Sequence, residues 1–526
     1  MAASAFAPFR SRAFTVLWVA TVIGNTGGWV RDTASAWLMT ELAPTPVMVA
    51  LVQAAATLPI FLLSLPAGAL SDILDRRRLM IGIQVGLCCT SLTLAVLSGL
   101  GIIGSGALLL LTLCAGIGNA LAGPVWQSVV PELVPRTELK PAVALNSLGI
   151  NISRAIGPAV AALIIILAGV PAAYLLDVVS YVVIVCALLW WKPANNRAAI
   201  PEQFGGAMRA GLRHALGSQP LRRVLLRAVL FFVPASCCWA LLPLVARTQL
   251  QGGAADYGIM LAAVGVGAIG GALLMPKLRQ RLSPEAVALL ASLLLGATTA
   301  ALALAGSVAV ACVLLALVGA AWITQLSTLN AIAQGVLPNW VRGRGLAIYL
   351  TVFYGSMTGG SLLWGRLAGG TSIGTTLLIA GAACAVLAVL ARLLPLPAGE
   401  DDLTPSHHWP APAMAEGLAA AGGPVMVTVE YRVPVAQQPG FAQAAAELGT
   451  SRRRDGAFAW GLMYDATDPE QVVEWFLLSS WEEHLRQHER VSMTDKAVQA
   501  QVHAFHTGGK PLVRHLLTLA PGATTP

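Results

Sequence analysis

Polar side chains interrupt the long apolar stretches of this chain at a small number of positions. Asn25 and Asp32 lie in one such stretch, and Asn151 and Arg154 lie in another. A carboxylate in an apolar helix can exchange a proton with water in a cavity, whereas a buried guanidinium requires an acceptor. These residue types therefore support proton exchange and contact with a polar solute. We predict no catalytic residues.

Two interpretations of the first group remain open. Arg31 and Asp32 could solvate the outer end of a helix, or Asp32 could line a cavity and carry a proton. Asn25, Trp29 and Asp32 are spaced i, i+4 and i+7, which places them on one helix face. Asp177, near the outer start of a later apolar stretch, is expected to be an exposed group at a helix end.

The second group also has two interpretations. Arg154 could pair with helix-end carbonyls or loop carboxylates, or it could act in gating or contact a substrate. Gly157 and Pro158 follow it, and small residues and proline in membrane helices allow close packing and weaken the backbone hydrogen bonds. We therefore expect Gly157 and Pro158 to act in helix packing or gating.

Composition indicates that membrane-spanning helices position these residues. The chain has 526 residues, of which 56% are hydrophobic and 11% are charged, against about a quarter charged in soluble domains. Segments of about 20 apolar residues can cross a hydrocarbon core of about 30 Å. The sequence predicts twelve such spans, at roughly 13–38, 47–70, 79–100, 105–129, 143–168, 171–191, 222–246, 255–275, 284–305, 307–334, 345–367 and 372–394.

A polar link separates these spans into two halves. We predict an N-terminal six-helix half over 1–191, a cytoplasmic central loop over 192–221 and a C-terminal six-helix half over 222–395. A glycine-rich helix end followed by a basic hairpin, 265–281, corresponds in position to 68–78 of the first half. Corresponding features in two halves are typical of transporter folds built from repeats, with a site between the halves.

The distribution of positive charge predicts the topology. Basic residues concentrate in loops on the side of the N-terminus, and the opposite loops contain essentially Arg247 and Arg366, so both termini are expected in the cytoplasm. The excess charge lies in short loops and not on one continuous face, which excludes nucleic acid as an expected partner. The eight cysteines lie in apolar segments without a CxxC motif, so we expect neither disulfides nor a metal site.

The stretch Gly68-Ala-Leu-Ser-Asp72-Ile-Leu-Asp75-Arg76-Arg77-Arg78 resembles the loop between the second and third helices of major facilitator superfamily transporters. Ile73 and Asp75 depart from the family pattern, in which an Arg and a Gly are usual. The positions that match are Gly68, Leu70, Ser71, Asp72, Arg76 and Arg77.

Four further stretches are similar to the drug-exporter branch of that superfamily, which includes enterobactin-type and macrolide-type bacterial efflux proteins. They are Asn25–Met39, Trp126–Arg136, Ala144–Pro158 and Met275–Lys277. The resemblance implies a multi-pass transporter in the bacterial inner membrane. Its expected partners are the lipid bilayer, protons and a small molecule such as a drug, siderophore or secondary metabolite. The implied mechanism is export by proton antiport with rocker-switch alternating access. Import of a nutrient is an alternative that differs mainly in the direction of transport, which the sequence does not determine.

The resemblance also implies roles for particular residues. In the family, the loop Asp, here Asp72, caps the cytoplasmic end of the helix that begins at Arg342 and holds the outward-open state shut. Gly68, Arg76 and Arg77 are expected to belong to the same conformational switch. The candidate proton-coupling or cavity residues are Asn25, Asp32, Asn151 and Arg154.

The C-terminal region differs in composition from the apolar part. Residues 396–423 are predicted to be a flexible linker, and 424–526 a cytoplasmic domain. Its predicted β-α-β-β-α-β order indicates a ferredoxin-like α+β fold. The predicted strands are Val425–Val433, Ala457–Tyr464, Val472–Ser480 and Leu512–Leu519, and the predicted helices are Gly440–Leu448 and Trp481–Phe505.

This domain resembles the small dimeric folds of antibiotic-biosynthesis monooxygenases through Trp481-Glu482-Glu483-His484 and His488. The resemblance implies dimerisation through the domain. The alternative is a carrier fused to an enzymatic or ligand-binding domain that modifies or receives the transported metabolite. His484 and His488 share one helix face, but no further ligand is evident from the sequence. We therefore expect no metal, no cofactor and no enzymatic activity.

Overall fold

The apolar runs form long α-helices, because a helix pairs its own backbone N–H and C=O groups without water. The computed structural model describes residues 6–192, 215, 217–338, 340–397, 404, 406, 408–410, 412 and 423–518. Within these residues, eleven helices are long and apolar enough to cross a membrane. They are α1 (Arg12–Leu42), α2 (Pro46–Ile73), α3 (Arg76–Gly99), α4 (Ser105–Leu133), α5 (Leu139–Trp190), α6 (Gln219–Leu244), α7 (Ala254–Arg281), α8 (Pro284–Leu302), α9 (Val308–Gly335), α10 (Arg342–Gly370) and α11 (Ile373–Leu390).

Helix α5 contains two of the predicted spans in one element. Its 52 residues would extend about 78 Å as a straight helix at about 1.5 Å per residue, which is far more than a bilayer core of about 30 Å. Gly169 has φ 80° and ψ 173°, so the helical conformation is broken at that residue. Glycine adopts this backbone conformation without the Cβ clash that other residues would suffer.

The predicted hairpin at 68–78 is shorter than expected. Helix α2 continues to Ile73 and α3 begins at Arg76, so only Leu74 and Asp75 connect them. The Asp75 carboxylate accepts a hydrogen bond from the Arg78 backbone N–H at 2.8 Å. A carboxylate at this position satisfies a free amide and is favoured by the helix dipole. Asp75 is therefore the N-cap of α3.

The chain divides into two compact units, which we describe separately. One comprises Met1–Pro201, Leu225–Ala331 and Tyr349–Leu396, and the other comprises Glu202–Val224, Ile332–Ile348 and Pro397–Pro526. In the first unit, α1 packs closely on α5 because glycines occupy the contact. A Cβ at Gly24 would lie 2.0 Å from Ile184 Cδ1.

The second unit contains a four-stranded antiparallel sheet in the order β2-β3-β1-β4. Helix α12 lies between β1 and β2 in the chain, and α13 and α14 lie between β3 and β4. The elements are β1 (Val425–Arg432), α12 (Gln438–Asp455), β2 (Ala459–Tyr464), β3 (Gln471–Leu478), α13 (Trp481–Arg490), α14 (Met493–His503) and β4 (Leu512–Leu517).

The single helix predicted over Trp481–Phe505 is wrong, because two helices occupy this segment. The first ends at Arg490, and Ser492 is the N-cap of the second. The Ser492 hydroxyl accepts from the Asp495 backbone N–H, and the Asp495 carboxylate accepts from the Ser492 N–H. This reciprocal pair is a capping box, which begins a new helix at a fixed point.

Candidate functional site

A buried charged cluster lies between α1, α3 and α5. The Arg31 side chain is 2% exposed, and its Nη1 donates to Asp177 Oδ2 at 3.2 Å and to Tyr181 Oη at 2.7 Å. Ser91 Oγ of α3 donates to the same Asp177 oxygen at 2.6 Å. Because each buried charge has an opposite charge and further hydrogen bonds, the cluster satisfies the usual condition for ionic groups in a low dielectric.

The expectation that Asp177 is exposed at a helix end is wrong. The residue is completely buried within α5, with 0% of its side chain exposed. The interpretation that Arg31 solvates a helix end is wrong for the same reason, since Arg31 points inward to Asp177. The two residues are on different helices, so their pairing lowers the cost that either charge would have alone in an apolar bundle.

Asp32 occupies a different environment from Asp177, although both contact the same guanidinium. Its Oδ1 accepts from Arg31 Nε at 3.1 Å and from Arg31 Nη2 at 2.9 Å. Its side chain is 41% exposed. Asp32 is thus held on one side by a buried cation and is open on the other. Asp32 is therefore the more exposed of the two carboxylates that contact Arg31.

Gly27 brings α1 close enough to α5 for this cluster to form. A Cβ at this position would lie 2.2 Å from Ser180 Oγ and 2.8 Å from Asp177 Oδ1. Real Cβ atoms do not approach other atoms so closely, so any larger residue would push the helices apart. The next residue, Gly28, has no such restriction, because its nearest contact would be Arg31 Nη2 at 3.8 Å.

Arg154 lies on α5, away from the charged cluster. It is half-buried, and its Cζ lies 5.8 Å from the centre of the Trp29 ring, which is a cation–π distance. Among the described residues, no carboxylate forms an ion pair with it. Tyr354 of α10 is close enough to interact electrostatically with this guanidinium. Arg154 therefore lies between residues of the N-terminal and C-terminal helices.

Tyr354 belongs to an aromatic cluster contributed by α6, α9 and α10. The ring centroids of Phe353 and Tyr354 are 4.8 Å apart, and those of Phe232 and Phe353 are 4.6 Å apart. Trp322 is 5.3 Å from both Phe232 and Trp239. These edge-to-face contacts are favourable aromatic geometry. They form an apolar wall on the C-terminal helices.

The other predicted residues of α1 and α5 have simpler surroundings. Asn25 is half-buried and Asn151 is exposed. Asn151 Nδ2 donates to the Ser147 carbonyl of its own helix at 2.9 Å. Gly157 and Pro158 are both buried, and a Cβ at Gly157 would lie 2.4 Å from Trp29 Cβ. Gly157 therefore allows α5 to approach α1 near Arg154.

The basic residues that begin α3 contact the ends of neighbouring helices. Arg77 Nε and Nη2 donate to the carbonyls of Leu188 and Leu189 at 2.8 and 2.7 Å, at the C-terminus of α5. A cation at free helix-end carbonyls is favourable. Arg76 pairs with Glu132 at the end of α4. These contacts join the ends of three helices of the N-terminal half.

Gly68 and Asp72 lie in the last turns of α2. Their side-chain surroundings fall outside the described part of the chain, so the cap that Asp72 is expected to form on the helix beginning at Arg342 stays a prediction. Ser64, one turn before Gly68, does contact the C-terminal helices, since its Oγ lies 2.9 Å from Thr351 Oγ1 of α10.

Further contacts join the two sets of helices near the end of α1 and in the first half of α2. Thr57 Oγ1 and Thr358 Oγ1 are 2.7 Å apart. The rings of Trp37 and Tyr257 stack with centroids 6.0 Å apart. A Cβ at Gly365 would lie 2.4 Å from Ala50 Cβ. The N-terminal and C-terminal helices are therefore in close contact at this end.

A family profile and a curated relative both relate this chain to membrane transport proteins. A family profile described as "Transmembrane secretion effector" matches residues 3–522. The curated Staphyloferrin A transporter of Staphylococcus aureus (strain NCTC 8325 / PS 47) is 25% identical over 275 residues, which cover 51% of this chain and 68% of that protein.

Solved transporter structures share the fold at low sequence identity. A POT family transporter in complex with a thioalcohol conjugated peptide has a TM-score of 0.60 and 12% identity, covering 73% of this chain and 96% of its own. A bacterial homologue of the iron transporter ferroportin, in the inward-facing state, has a TM-score of 0.57 and 16% identity, covering 72% of this chain and 98% of its own. At these identities the likeness concerns the fold alone.

Proposed function

This chain belongs to the transmembrane secretion effector family of major facilitator transporters, and from that premise we propose that it exports a small molecule in exchange for protons. It is a multi-pass membrane transporter and not an enzyme. The observation that carries the proposal is the half-exposed Asp32 beside a fully buried Arg31–Asp177 pair. Proton antiport needs at least one ionisable group that water can reach, and Asp32 is the exposed carboxylate of this cluster.

The two carboxylates have different roles in this proposal. Asp177 keeps Arg31 in place, because it is buried and accepts hydrogen bonds from Arg31 and Ser91. Asp32 takes up and releases the proton. When Asp32 is protonated, its attraction to Arg31 weakens, so the α1 surface that faces the C-terminal helices changes its charge.

The test is transport into inverted membrane vesicles with an imposed pH gradient, with staphyloferrin A as the first substrate probe and a panel of small acidic metabolites as further probes. Asp32→Asn should abolish the response of uptake to the gradient while leaving the protein folded. Glu41→Gln is the matched control, because Glu41 is a similarly exposed carboxylate of the same helix. Undiminished gradient-driven uptake by Asp32→Asn would remove Asp32 from the mechanism.

We infer that the substrate binds between Arg154 and the aromatic cluster and has an acidic group. Arg154 is half-buried and has no carboxylate partner among the described residues, so an anionic group of a substrate could complete its interactions. The Trp322 and Tyr354 rings would contact the apolar part. Arg154→Gln should raise the KM for an acidic substrate more than it lowers the maximal rate. An unchanged KM would contradict this placement.

Alternating access between two six-helix halves is part of the proposal, with α5 counted as two spans separated at Gly169 and both termini in the cytoplasm. Contacts such as Thr57–Thr358 would close the cavity on the periplasmic side. The segment 68–78, at the other end of α2, would control closure of the cytoplasmic side. A disulfide between Thr57→Cys and Thr358→Cys should stop transport until a reductant is added, and continued transport by the cross-linked protein would refute this.

We propose that the C-terminal sheet, with the strand order β2-β3-β1-β4, belongs to a ferredoxin-like domain and that this domain dimerises through the outer face of the sheet. Met426, Trp475 and Leu477 are only partly buried on that face. Leu516, on the neighbouring strand, is 49% exposed. Leu477→Glu should convert a dimer to a monomer in light scattering, and an unchanged mass would exclude this face.

A further inference from the structure

We propose that the C-terminal domain binds a divalent late first-row transition-metal ion, with His484, His488 and His515 as its ligands. One ring nitrogen of each residue lies within 4.8 Å of those of the other two. The sequence shows only the first two, which are one helical turn apart on α13. The sheet supplies the third, because β4 pairs with β1 and places His515 opposite Val427.

The packing of the three rings supports this assignment. The ring centroid of His484 is 4.7 Å from those of both His488 and His515. His484 is 1% exposed, and neither of its ring nitrogens makes a hydrogen bond of ordinary geometry with a described residue. An imidazole buried without partners loses its hydration and gains little in return. A metal–nitrogen bond would compensate for this loss.

The charge state of the rings is suitable for metal binding. Burial, together with the nearby His488 and His515, lowers the pKa of His484 to about 3, although a marginal contact with Gln487 acts in the opposite direction. Burial and His515 lower the pKa of His488 to about 4, and burial lowers the pKa of His515. These shifts favour the neutral form of the rings, which is the form that binds metals.

The ligand set selects the kind of metal. Three imidazoles without a carboxylate favour Zn²⁺, Cu²⁺ or Ni²⁺ over Mg²⁺ and Ca²⁺, which prefer oxygen ligands. A Zn–N bond of about 2.0–2.1 Å requires ligand nitrogens roughly 3.3 Å apart, so a pair at the 4.8 Å limit must approach by about 1.5 Å. His488 and His515 are half-buried, which gives the ion a route from solvent.

Nearby charges do not exclude a cation. Arg452 is a cationic side chain that acts on two of the rings, since it also lowers the pKa values of His484 and His488. Its guanidinium pairs with the buried Glu474 carboxylate, with Arg452 Nε 3.1 Å from Glu474 Oε1. Most of its charge is therefore neutralised. Trp409 covers one side of His488, with ring centroids 4.8 Å apart, so the linker region also contributes to the enclosure.

The test uses the full-length protein in detergent, purified without a polyhistidine tag and stripped with a chelator. Isothermal titration with ZnCl₂ should show one tight equivalent, and CoCl₂ should give the visible absorption bands of nitrogen-ligated Co²⁺. His515→Gln should weaken Zn²⁺ binding by more than about 100-fold, because the loss of even an outer-shell partner costs about 10–100-fold. Zinc should also slow hydrogen exchange in α13 and β4.

His506→Gln is the matched control, since His506 belongs to the same domain but accepts a hydrogen bond from the Arg432 backbone N–H outside the cluster. It should bind Zn²⁺ as tightly as the wild type. If His515→Gln fails to fold, His488→Gln provides the same comparison. The proposal is overturned if no Zn²⁺, Cu²⁺ or Ni²⁺ binds tightly, or if the cluster variants bind as the control does. Because the readouts are binding and exchange, this result is independent of the export proposal.

Discussion

Replacement of Asp177 with Asn should destabilise the membrane unit much more than replacement of Asp32 with Asn. The substitution keeps the size of the side chain but removes the buried charge that lies 3.2 Å from Arg31 Nη1. Arg31 would retain Tyr181 and the half-exposed Asp32. Removal of one member of a buried pair costs about 3–5 kcal/mol. Because Asp32 still compensates in part, we expect about 3 kcal/mol.

The Asp32→Asn variant provides the internal comparison. Its contact with Arg31 is partly exposed, and exposed ion pairs contribute about 0–1 kcal/mol. The expected difference between the two variants is therefore about 2–3 kcal/mol, although both remove one carboxylate from the same guanidinium. Exchange of both buried partners, in Arg31→Met with Asp177→Leu, should recover only part of the stability lost in Asp177→Asn. Matched apolar residues can replace a buried pair, but Ser91 and Tyr181 lose their partners in the cluster.

The assay is equilibrium unfolding in mixed micelles, followed by the fluorescence of the 14 tryptophans and by circular dichroism. Variants are compared at one pH and one detergent composition. Two results would refute the reasoning: an Asp177→Asn protein within about 1 kcal/mol of the wild type, or equal losses for the two Asn variants. The first result would mean that Arg31 does not depend on Asp177 for its charge compensation, and the second that Asp32 and Asp177 compensate Arg31 equally.

Three further predictions concern packing, a helix end and acid stability. Gly27→Ala should cost about 1–3 kcal/mol because its Cβ overlaps Ser180 and Asp177, whereas Gly28→Ala should change the unfolding free energy by less than about 1 kcal/mol. Arg77→Ala should lower the free energy of unfolding by about 1–3 kcal/mol, because it removes two hydrogen bonds to helix-end carbonyls. Arg78 is exposed, and Arg78→Ala should be nearly neutral in the same unfolding assay. The pKa of His484 is 6.5 in the unfolded chain and about 3 in the folded domain, so on acidification the unfolded chain takes up the proton first. The free energy of unfolding therefore falls as the pH decreases between these values, by about 2 kcal/mol at pH 5. Hydrogen exchange of the metal-free protein, corrected for intrinsic rate, should show less protection of residues 425–517 at pH 5 than at pH 7.5, and equal protection would contradict the shift.

The helical spans could be predicted from the sequence because the length of an apolar run is a local property. The Arg31–Asp177 pair could not, since its members are 146 residues apart and periodicity places residues on a face only within one helix. The sequence predicts Asp177 at a helix end because it lies near the start of the predicted span 171–191, but α5 continues through this region after the break at Gly169. A charged residue within a predicted span usually faces the bundle interior and pairs with another group. This rule could have identified Asp177 as a buried residue with a partner.

In the C-terminal domain, too, the sequence predicts local elements but not the contacts between distant residues. Alternation of apolar residues and turn composition were sufficient to locate its four strands within a few residues. The i, i+4 spacing of His484 and His488 was visible in the sequence, but His515 joins them only through the register of β4 on β1. Asp75 replaces the glycine that is usual in the similar loop of major facilitator transporters, and the sequence does not explain this replacement. The structure does, because the Asp75 carboxylate accepts a hydrogen bond from the Arg78 backbone N–H.

The break at Gly169 has a practical consequence for topology mapping. The two segments of α5 follow each other without a loop, so a reporter tag inserted there would interrupt a turn that requires a left-handed glycine. We expect such a fusion to disrupt the helix at this point, so its reported orientation would not describe the native protein. The connection between α3 and α4, residues 100–104, has exposed positions and is the better insertion site. An accessible tag at that connection would report which compartment faces this end of the helices.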